Sequence, residues 1–347
     1  MKVEWNKDLT GLNTFRMRVR SRCYVECDSV DELSAFLAEG AYPRPLLPVG
    51  RGSNLLFTGD FPGTVLHLRL QGVRILEEGP DGLRVRVEAG VEWDGFCAWC
   101  ADRGCWGPEN LSMIPGEAGA AAVQNIGAYG MEVCQLIESV ECLEADGGAP
   151  VRIPVSEIGY GYRTSRFKES WKGRYIVTAL VLRVSPTGGP RLDYGPVRTI
   201  VQAHLEAGGE TRPTPALVRA AIREIRRGKL PDPAEMGSAG SFFRNPCLTA
   251  EQLAHVGEVA RREGYGPVPR YEAGEGRFKV PAAWLIDKCG WKGHVQGNVG
   301  VYERQPLVLV NRTGSATPDE VLRLEEAVRD SVRERFAVTL EPEVEHI

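Results

Sequence analysis

No apolar run in the 347 residues approaches the roughly 20 needed to cross a bilayer as a helix, so a helical membrane protein is not expected. Basic charge is not in excess. Lys and Arg number 42 against 46 Asp and Glu, a formal charge of −4, whereas a nucleic-acid binder ordinarily shows a clearly basic domain. Histidine is scarce, five in all, with no two at ligand spacing, so no metal site is expected. The opening stretch from Met1 to Phe15 holds no apolar segment of the kind that forms a signal-peptide core. The expectation is a cytoplasmic protein whose nine cysteines, an odd count, remain free thiols. The glycine-rich stretches complete neither a GxGxxG fingerprint nor the Gly-Lys-Ser/Thr ending of a P-loop.

What is present is ordinary for a soluble globular chain, 43% hydrophobic and 25% charged, except for 40 glycines. That load implies many tight turns or many close approaches of backbone to a ligand. The length suits two or three domains. Ser29 and Glu32 read as a capping box for a helix with Leu33, Phe36 and Leu37 on its apolar face and Gly40 at its end. Leu46 to Val49 reads as a short strand leading into a glycine-rich loop. Leu83, Val85, Val87 and Ala89 alternate with charged residues as in a half-buried strand, and residues 175–184 form a second clear one. Trp93, Phe96, Cys97 and Cys100 share one face of a helix over 93–103, so the Cys-x-x-Cys spacing is read as core rather than as a metal or redox pair. Thr214-Pro215 starts a helix with the stripe Val218, Ala221, Ile222 and Ile225, ending near Gly228. Beyond the prolines of 231–233 lie a helix capped by Thr249 and Gln252, a strand over Leu307–Val310 and a long helix from Thr317-Pro318 to about Arg335. The chain closes with a strand in which Val338, Leu340 and Val344 share a face opposite Glu341 and Glu343. Helices and strands without strict βαβ alternation predict an α+β protein.

Four segments stand out chemically. Gly50-Arg51-Gly52-Ser53-Asn54-Leu55, after a strand, offers several N–H groups and a hydroxyl to an anion, or is only a turn. Residues 110–130 are rich in glycine and alanine, with Glu117 and Tyr129 the charged and aromatic residues and none basic, which lets backbone approach a flat or anionic ligand, or lets a helix pack closely on a sheet. Residues 161–168 gather Arg163, Arg166 and Lys168 with Tyr162 and Phe167. Residues 237–246 set Ser241 between glycines and Phe242-Phe243. No Gly-x-Ser-x-Gly elbow and no triad accompany it, so the hydroxyl suits proton donation better than acyl transfer.

In order along the chain, Asn13-Thr14-Phe15, Gly50-Arg-Gly-Ser-Asn-Leu55, Ile114-Pro-Gly116 through Gln124-Asn-Ile-Gly-Ala-Tyr-Gly130, Gly161-Tyr-Arg-x-Ser165, Gly240-Ser-Phe-Phe-Arg-Asn-Pro246, Ala283-Trp-Leu-Ile-Asp287 and Glu341-Pro-Glu-Val344 resemble the motifs of the UDP-N-acetylenolpyruvoylglucosamine reductase family. The resemblance spans nearly the whole chain. Leu192-Asp-Tyr194-Gly and Ser-Phe-Phe are similar to the tyrosine loop and motif of its first subtype. The resemblance implies a two-part FAD-binding module of the vanillyl-alcohol-oxidase type, residues 1–70 and 71–228, followed by a C-terminal α+β substrate domain, residues 229–347. It implies non-covalent FAD, NADPH as the hydride donor, reduction of an enolpyruvyl ether on a nucleotide sugar in peptidoglycan precursor synthesis, and a monomer. Arg163, Ser241 and Glu343 match the family's catalytic arginine, serine and glutamate.

The cofactor positions that carry over are Gly50, Arg51, Gly52, Ser53, Asn54, Leu55, Ile114, Pro115, Gly116, Gly119, Ala120, Ala121, Gln124, Asn125, Gly127, Ala128 and Tyr129. Substrate positions are Tyr162, Tyr194, Lys229, Asn245, Tyr271, Lys292 and Gln305. Where relatives often have serines this chain reads Gly119-Ala-Ala-Ala122, removing a side-chain hydroxyl from the cofactor phosphate; backbone N–H groups still serve it, and the charge of Arg51 is a further compensation, unless it faces solvent. The residues themselves suit the roles. A permanent cation belongs beside a developing enolate, a hydroxyl supplies one proton, and lysines serve a diphosphate as point charges. A flavin oxidase of the same fold on another substrate is the alternative, and a non-enzymatic nucleotide-sugar binder a third; both fit poorly with a chain that keeps Arg163, Ser241 and Glu343.

Overall fold

The computed structural model describes residues 1–80 and 82–347. The chain divides into two compact units, one of residues 1–7, 21–51 and 61–227, the other of 8–20, 52–60 and 228–347. The mixed helix and strand content is that of an α+β protein.

The first unit holds two larger sheets. In one, Lys2–Asp8, Arg20–Cys27, Phe61–Leu68 and Leu46–Pro48 lie in that order. Arg20–Cys27 and Leu46–Pro48 both run parallel to Phe61–Leu68, which requires crossovers. Helix Val30–Glu39 provides one, burying Leu33, Phe36 and Leu37 and ending on Gly40 at φ +64°. The second sheet is antiparallel, in the order Pro150–Pro154, Ile137–Glu144, Tyr175–Val184, Gly82–Glu88 and Val73–Gly79. Its central strand Tyr175–Val184 is buried at nearly every position. Arg84, Arg86, Glu138 and Glu141 form ion pairs on that sheet. Helix Trp93–Asp102 buries the expected stripe Trp93, Phe96, Cys97 and Cys100. Helices Val197–Gly208 and Pro215–Lys229 pack through Val197, Val201 and Leu205 against Val218, Ala221, Ile222 and Ile225.

In the second unit, Gly237–Ser238, Leu309–Asn311, Val299–Val301 and Val295–Gln296 form an antiparallel sheet. Helix Ala250–Arg262 begins on the Thr249–Gln252 capping box, and helix Pro318–Phe336 on the reciprocal pair Thr317 and Glu320. Among the described residues no helix is long and apolar enough to cross a membrane.

Two local expectations fail. Ser29 makes no side-chain cap, and the Glu32 carboxylate, which would close the other half of the box, pairs instead with the amino group of Met1 at 2.8 Å, a charge-assisted contact. Residues 337–344 are not a ladder strand. Ala337 takes a left-handed φ of +55° as the helix C-cap, and Pro342 contributes only an isolated bridge to Phe243. Val338, Leu340 and Val344 are nevertheless buried, at 3%, 0% and 3% exposure. The alternation correctly marked an inward face, but the extended chain is anchored to a loop instead of a neighbouring strand.

Candidate active site

In the first unit the two glycine-rich segments meet. Gly50 lies so close to Glu117 that a β-carbon on it would stand 2.8 Å from Oε2. Arg51 pairs through Nη1 with Oε1 of Glu92 at 2.8 Å, so its charge is already engaged within the protein. Met113, at φ +60°, donates its N–H to Oδ1 of Asp94 at 2.6 Å, and Asp94 is gripped from helix Pro215–Lys229 by Arg219 and Arg223, each at 2.8 Å. Arg226 of the same helix donates to the Met113 carbonyl. This clamp fixes the approach to Ile114, Pro115 and Gly116, the last at φ +127°, a backbone geometry reserved for glycine. Its only trace in the sequence is an arginine every third or fourth residue along the helix.

Helix Ala118–Gln124 follows. A β-carbon on Gly119 would meet that of Ala89 at 2.9 Å, so this glycine serves close packing of helix on sheet. Asn125 ends the helix at φ +46° and is fully buried. Its Nδ2 donates to the Gly161 carbonyl at 2.9 Å and to Oε2 of Glu132 at 3.1 Å, and its Oδ1 accepts from the Cys134 N–H. Both side-chain donors are thereby committed to the chain, and any cofactor contact from Asn125 falls to its backbone. Gly127–Ala128 and Met131–Glu132 form a small hairpin whose turn residues Tyr129 and Gly130 have φ +48° and +79°, the pattern of a type I′ turn. The Tyr129 ring meets Tyr194 edge-on, centroids 6.2 Å apart. Burial pushes the Tyr129 phenol up, and the neighbouring Arg226, itself lowered by burial, partly opposes this.

Arg163 occupies a tight turn closed by reciprocal backbone hydrogen bonds between Gly161 and Thr164, at 3.1 and 3.2 Å. Its φ of +56° is a left-handed conformation that costs a residue with a β-carbon on the order of 1–2 kcal/mol. Nη2 donates to the Gly127 carbonyl at 2.5 Å, and the guanidinium lies 5.7 Å from the ring centre of Tyr162. The next turn is tied down by Ser165, whose hydroxyl donates to the Val123 carbonyl at 2.6 Å.

In the second unit Ser241 follows Gly240, at φ +73°, and precedes two fully packed rings, Phe242 and Phe243, with centroids 5.2 Å apart. The Phe242 carbonyl accepts from the N–H of Glu343 at 2.8 Å, and the Phe242 N–H donates to Leu307 at 2.7 Å. Ser241 and Glu343 are thus brought together through backbone. Asn54 Nδ2 donates to the Glu343 carbonyl at 3.0 Å, and Glu345–His346 pairs in parallel with Leu55–Leu56. Asn54 and Leu55 therefore support the segment bearing Glu343, a role sequence reading missed. Gly52 admits no side chain, since a β-carbon would fall 2.3 Å from the Leu12 carbonyl; Ser53 continues this turn half-buried. Asn13-Thr14-Phe15 was legible only as a marker. Thr14 donates through its hydroxyl to the Ser238 carbonyl at 2.6 Å and Asn311 to that of Phe15, so the motif fastens the strand leading to Ser241. Asn245 Oδ1 accepts from the Ala282 N–H at 2.9 Å. Lys229, Lys292 and Tyr271 are exposed and Gln305 is half-buried.

Burial pushes the thiols of Cys97 and Cys100 strongly up, and Cys97 donates to the Pro108 carbonyl. Neither is positioned as a thiolate nucleophile.

Residues 21–149 match the family model described as FAD binding domain, and residues 232–347 match that of the UDP-N-acetylenolpyruvoylglucosamine reductase C-terminal domain. The UDP-N-acetylenolpyruvoylglucosamine reductase of Bacteroides fragilis is 45% identical over 99% of this chain and 100% of its own length. That of Chromobacterium violaceum is 45% identical over 97% and 96%, and that of Pseudomonas aeruginosa 41% over 99% and 98%. The crystal structure of the Thermus caldophilus enzyme shares the fold, with a TM-score of 0.68 at 23% identity over 100% of this chain and 99% of that one. The residues present fit FAD. The N–H groups of Gly50 and Arg51 donate to no acceptor among the described residues, and the half-buried surface of 123–129 carries no charged side chain, a donor set suited to a flat ring with an anionic tail. On full-length identity and two matched domains, the chain belongs to the UDP-N-acetylenolpyruvoylglucosamine reductase family.

Proposed function

We propose that Arg163, Ser241 and Glu343 are the catalytic residues through which this chain performs its family's reaction. The chain is an FAD- and NADPH-dependent oxidoreductase that reduces the enolpyruvyl ether of UDP-N-acetylglucosamine in peptidoglycan precursor synthesis. FAD, when bound, carries hydride from NADPH to the terminal alkene carbon. Hydride addition drives charge toward the substrate carboxylate, and the guanidinium of Arg163 stabilises it. Ser241 donates the proton that the adjacent carbon then needs. A serine is a weak acid, so the role requires a hydroxyl fixed in place and a substrate carbon kept basic. Glu343 orients the substrate carboxyl or Arg163.

The observation that carries the pairing of serine and glutamate is the hydrogen bond from the Glu343 N–H to the Phe242 carbonyl, which couples the position of one to the other. Tyr162, Tyr194, Lys229, Asn245, Tyr271, Lys292 and Gln305 are proposed substrate contacts, the two lysines serving the diphosphate. Residues 50–55 and 114–129 are proposed to hold FAD, with Asn54 and Asn125 contributing backbone. The tyrosine loop at Tyr194 and the Ser-Phe-Phe sequence support assignment to the first subtype. A division into residues 1–70, 71–228 and 229–347, a monomeric state and a cytoplasmic location complete the reading.

Anaerobic mixing tests it. NADPH is expected to bleach the flavin, and the enolpyruvyl sugar to restore its absorbance. A reduced flavin that oxygen reoxidises but the sugar does not would favour an oxidase instead.

A further inference from the structure

Gly50 is not a glycine for conformational reasons, since its φ lies outside the left-handed region. A β-carbon there would stand 2.8 Å from Oε2 of Glu117, 3.3 Å from Cδ and 3.5 Å from Cβ. A glutamate tip ordinarily swings aside at little cost. This one is held. Its Oε1 lies 3.2 Å from Nε2 of His67, and Nδ1 of His67 lies 3.0 Å from the Tyr24 hydroxyl. The side chains of His67 and Glu117 are 12% and 11% exposed, and Tyr24 is 2% exposed. Burial, reinforced by Glu26, pushes the Tyr24 phenol up, so it keeps its proton. The phenol has two acceptors in reach, Nδ1 of His67 at 3.0 Å and Oε2 of Glu26 at 3.3 Å; donation to the nearer Nδ1 leaves Nε2 carrying the ring hydrogen, which it donates to the carboxylate. Such a charge-assisted bond is strong where water is scarce.

The chain of contacts therefore runs from the strand Arg20–Cys27 through Phe61–Leu68 to the second glycine-rich segment, and ends against the first. We propose that Tyr24, His67 and Glu117 form a buried strut that sets the spacing between Gly50 and the Gly116–Gly119 backbone, and that retention of FAD depends on this spacing. These are positioning residues, and the inference rests on FAD being held by those two segments.

The test is the dissociation constant of FAD from refolded apoprotein, read by quenching of flavin fluorescence, with the thermal midpoint of each apoprotein as control. Glu117→Ala is expected to weaken FAD about tenfold or more, while Glu117→Gln, which keeps the length and an acceptor for His67, stays within about threefold; couplings of this size are ordinary for touching residues. Gly50→Ala is expected to weaken FAD about tenfold in the parent but under about threefold when combined with Glu117→Ala, which empties the space, or with His67→Ala, which frees the carboxylate to move. If Glu117→Ala does not fold, the Gly50→Ala and His67→Ala pair carries the test alone. A Gly50→Ala effect of the same size in every background would overturn the strut, as would Glu117→Ala binding FAD like the parent. A parent protein that binds no FAD would overturn the assignment of the two segments, and the strut's role with it.

Discussion

The turn bearing Arg163 and the segment bearing Ser241 are held in opposite ways. Arg163 sits in a left-handed backbone conformation stabilised by side-chain hydrogen bonds from residues within about forty positions, Asn125 to the Gly161 carbonyl and Ser165 to that of Val123. Ser241 lies on a backbone whose neighbours are fastened by main-chain bonds to residues far away in sequence, at Leu307 and Glu343, with Asn54 and Thr14 as side-chain ties. The first arrangement concentrates its support in a few buried polar groups, where loss of one partner strands the others. The second distributes it, so that single side chains matter less to geometry and the chemistry of the hydroxyl can be tested in isolation.

Ser241→Ala should therefore give the largest and cleanest effect. Flavin reduction by NADPH requires no proton on the substrate carbon and is expected to be nearly unchanged. Reoxidation by the enolpyruvyl sugar should slow by about 10²–10⁴-fold, the range of general acid catalysis. Ser241→Cys should recover part of the rate, because a thiol of similar size still donates. Anaerobic stopped-flow absorbance separates the halves. Equal slowing of both, or of neither, would reduce the serine to a binding or packing residue.

Asn125→Ala probes the concentrated support. It removes three hydrogen bonds from a fully buried residue and places alanine at a left-handed φ. A cost of about 3 kcal/mol is expected, seen as a thermal midpoint lower by roughly 4 °C for a chain of this size. Reoxidation should slow as well, because the Arg163 turn loses its tie. Unchanged stability would show the clamp to be incidental.

Asn54→Ala probes the distributed support. The Glu343 carbonyl loses one partner, while the parallel pairing of Leu55 with Glu345 and the bond to Phe242 remain. A loss of about 1 kcal/mol in stability is expected, with a fall in reoxidation rate of less than about tenfold. A collapse as deep as that of Ser241→Ala would mean that Asn54 acts on the reacting groups directly.

Much of the architecture was legible because periodicity reports burial. The stripes of helices 93–102, 215–229 and 318–336 and the alternation of 82–88 read directly as elements. The C-terminal segment shows the limit, since alternation fixed which residues of 337–344 face inward but could not say that no strand would lie beside them. The motifs marked positions better than roles. Asn13-Thr14-Phe15 turned out to be a fastener, Gly119 a packing contact and Arg51 the partner of Glu92. The grip of Arg219 and Arg223 on Asp94 was invisible, because its partners are more than a hundred residues apart and neither end carries a motif.

Cys97 and Cys100 belong to neither support and serve as the control. They are each 1% exposed on the helix face that includes Trp93 and Phe96, and burial holds both thiols protonated. Replacing them by alanine opens small cavities and removes the weak bond from Cys97 to Pro108, so each should cost about 1–2 kcal/mol. Neither change reaches the Arg163 turn or the Ser241 segment, and neither removes a group able to carry electrons, because a protonated buried thiol does not exchange with a disulfide or attack a flavin. Both half-reactions, measured per molecule of bound flavin, should keep their rates in the double variant while its thermal midpoint falls. Selective loss of flavin reduction in a protein that remains folded would mean that the pair is redox-active after all, and the helix face would have to be read as a site rather than as core.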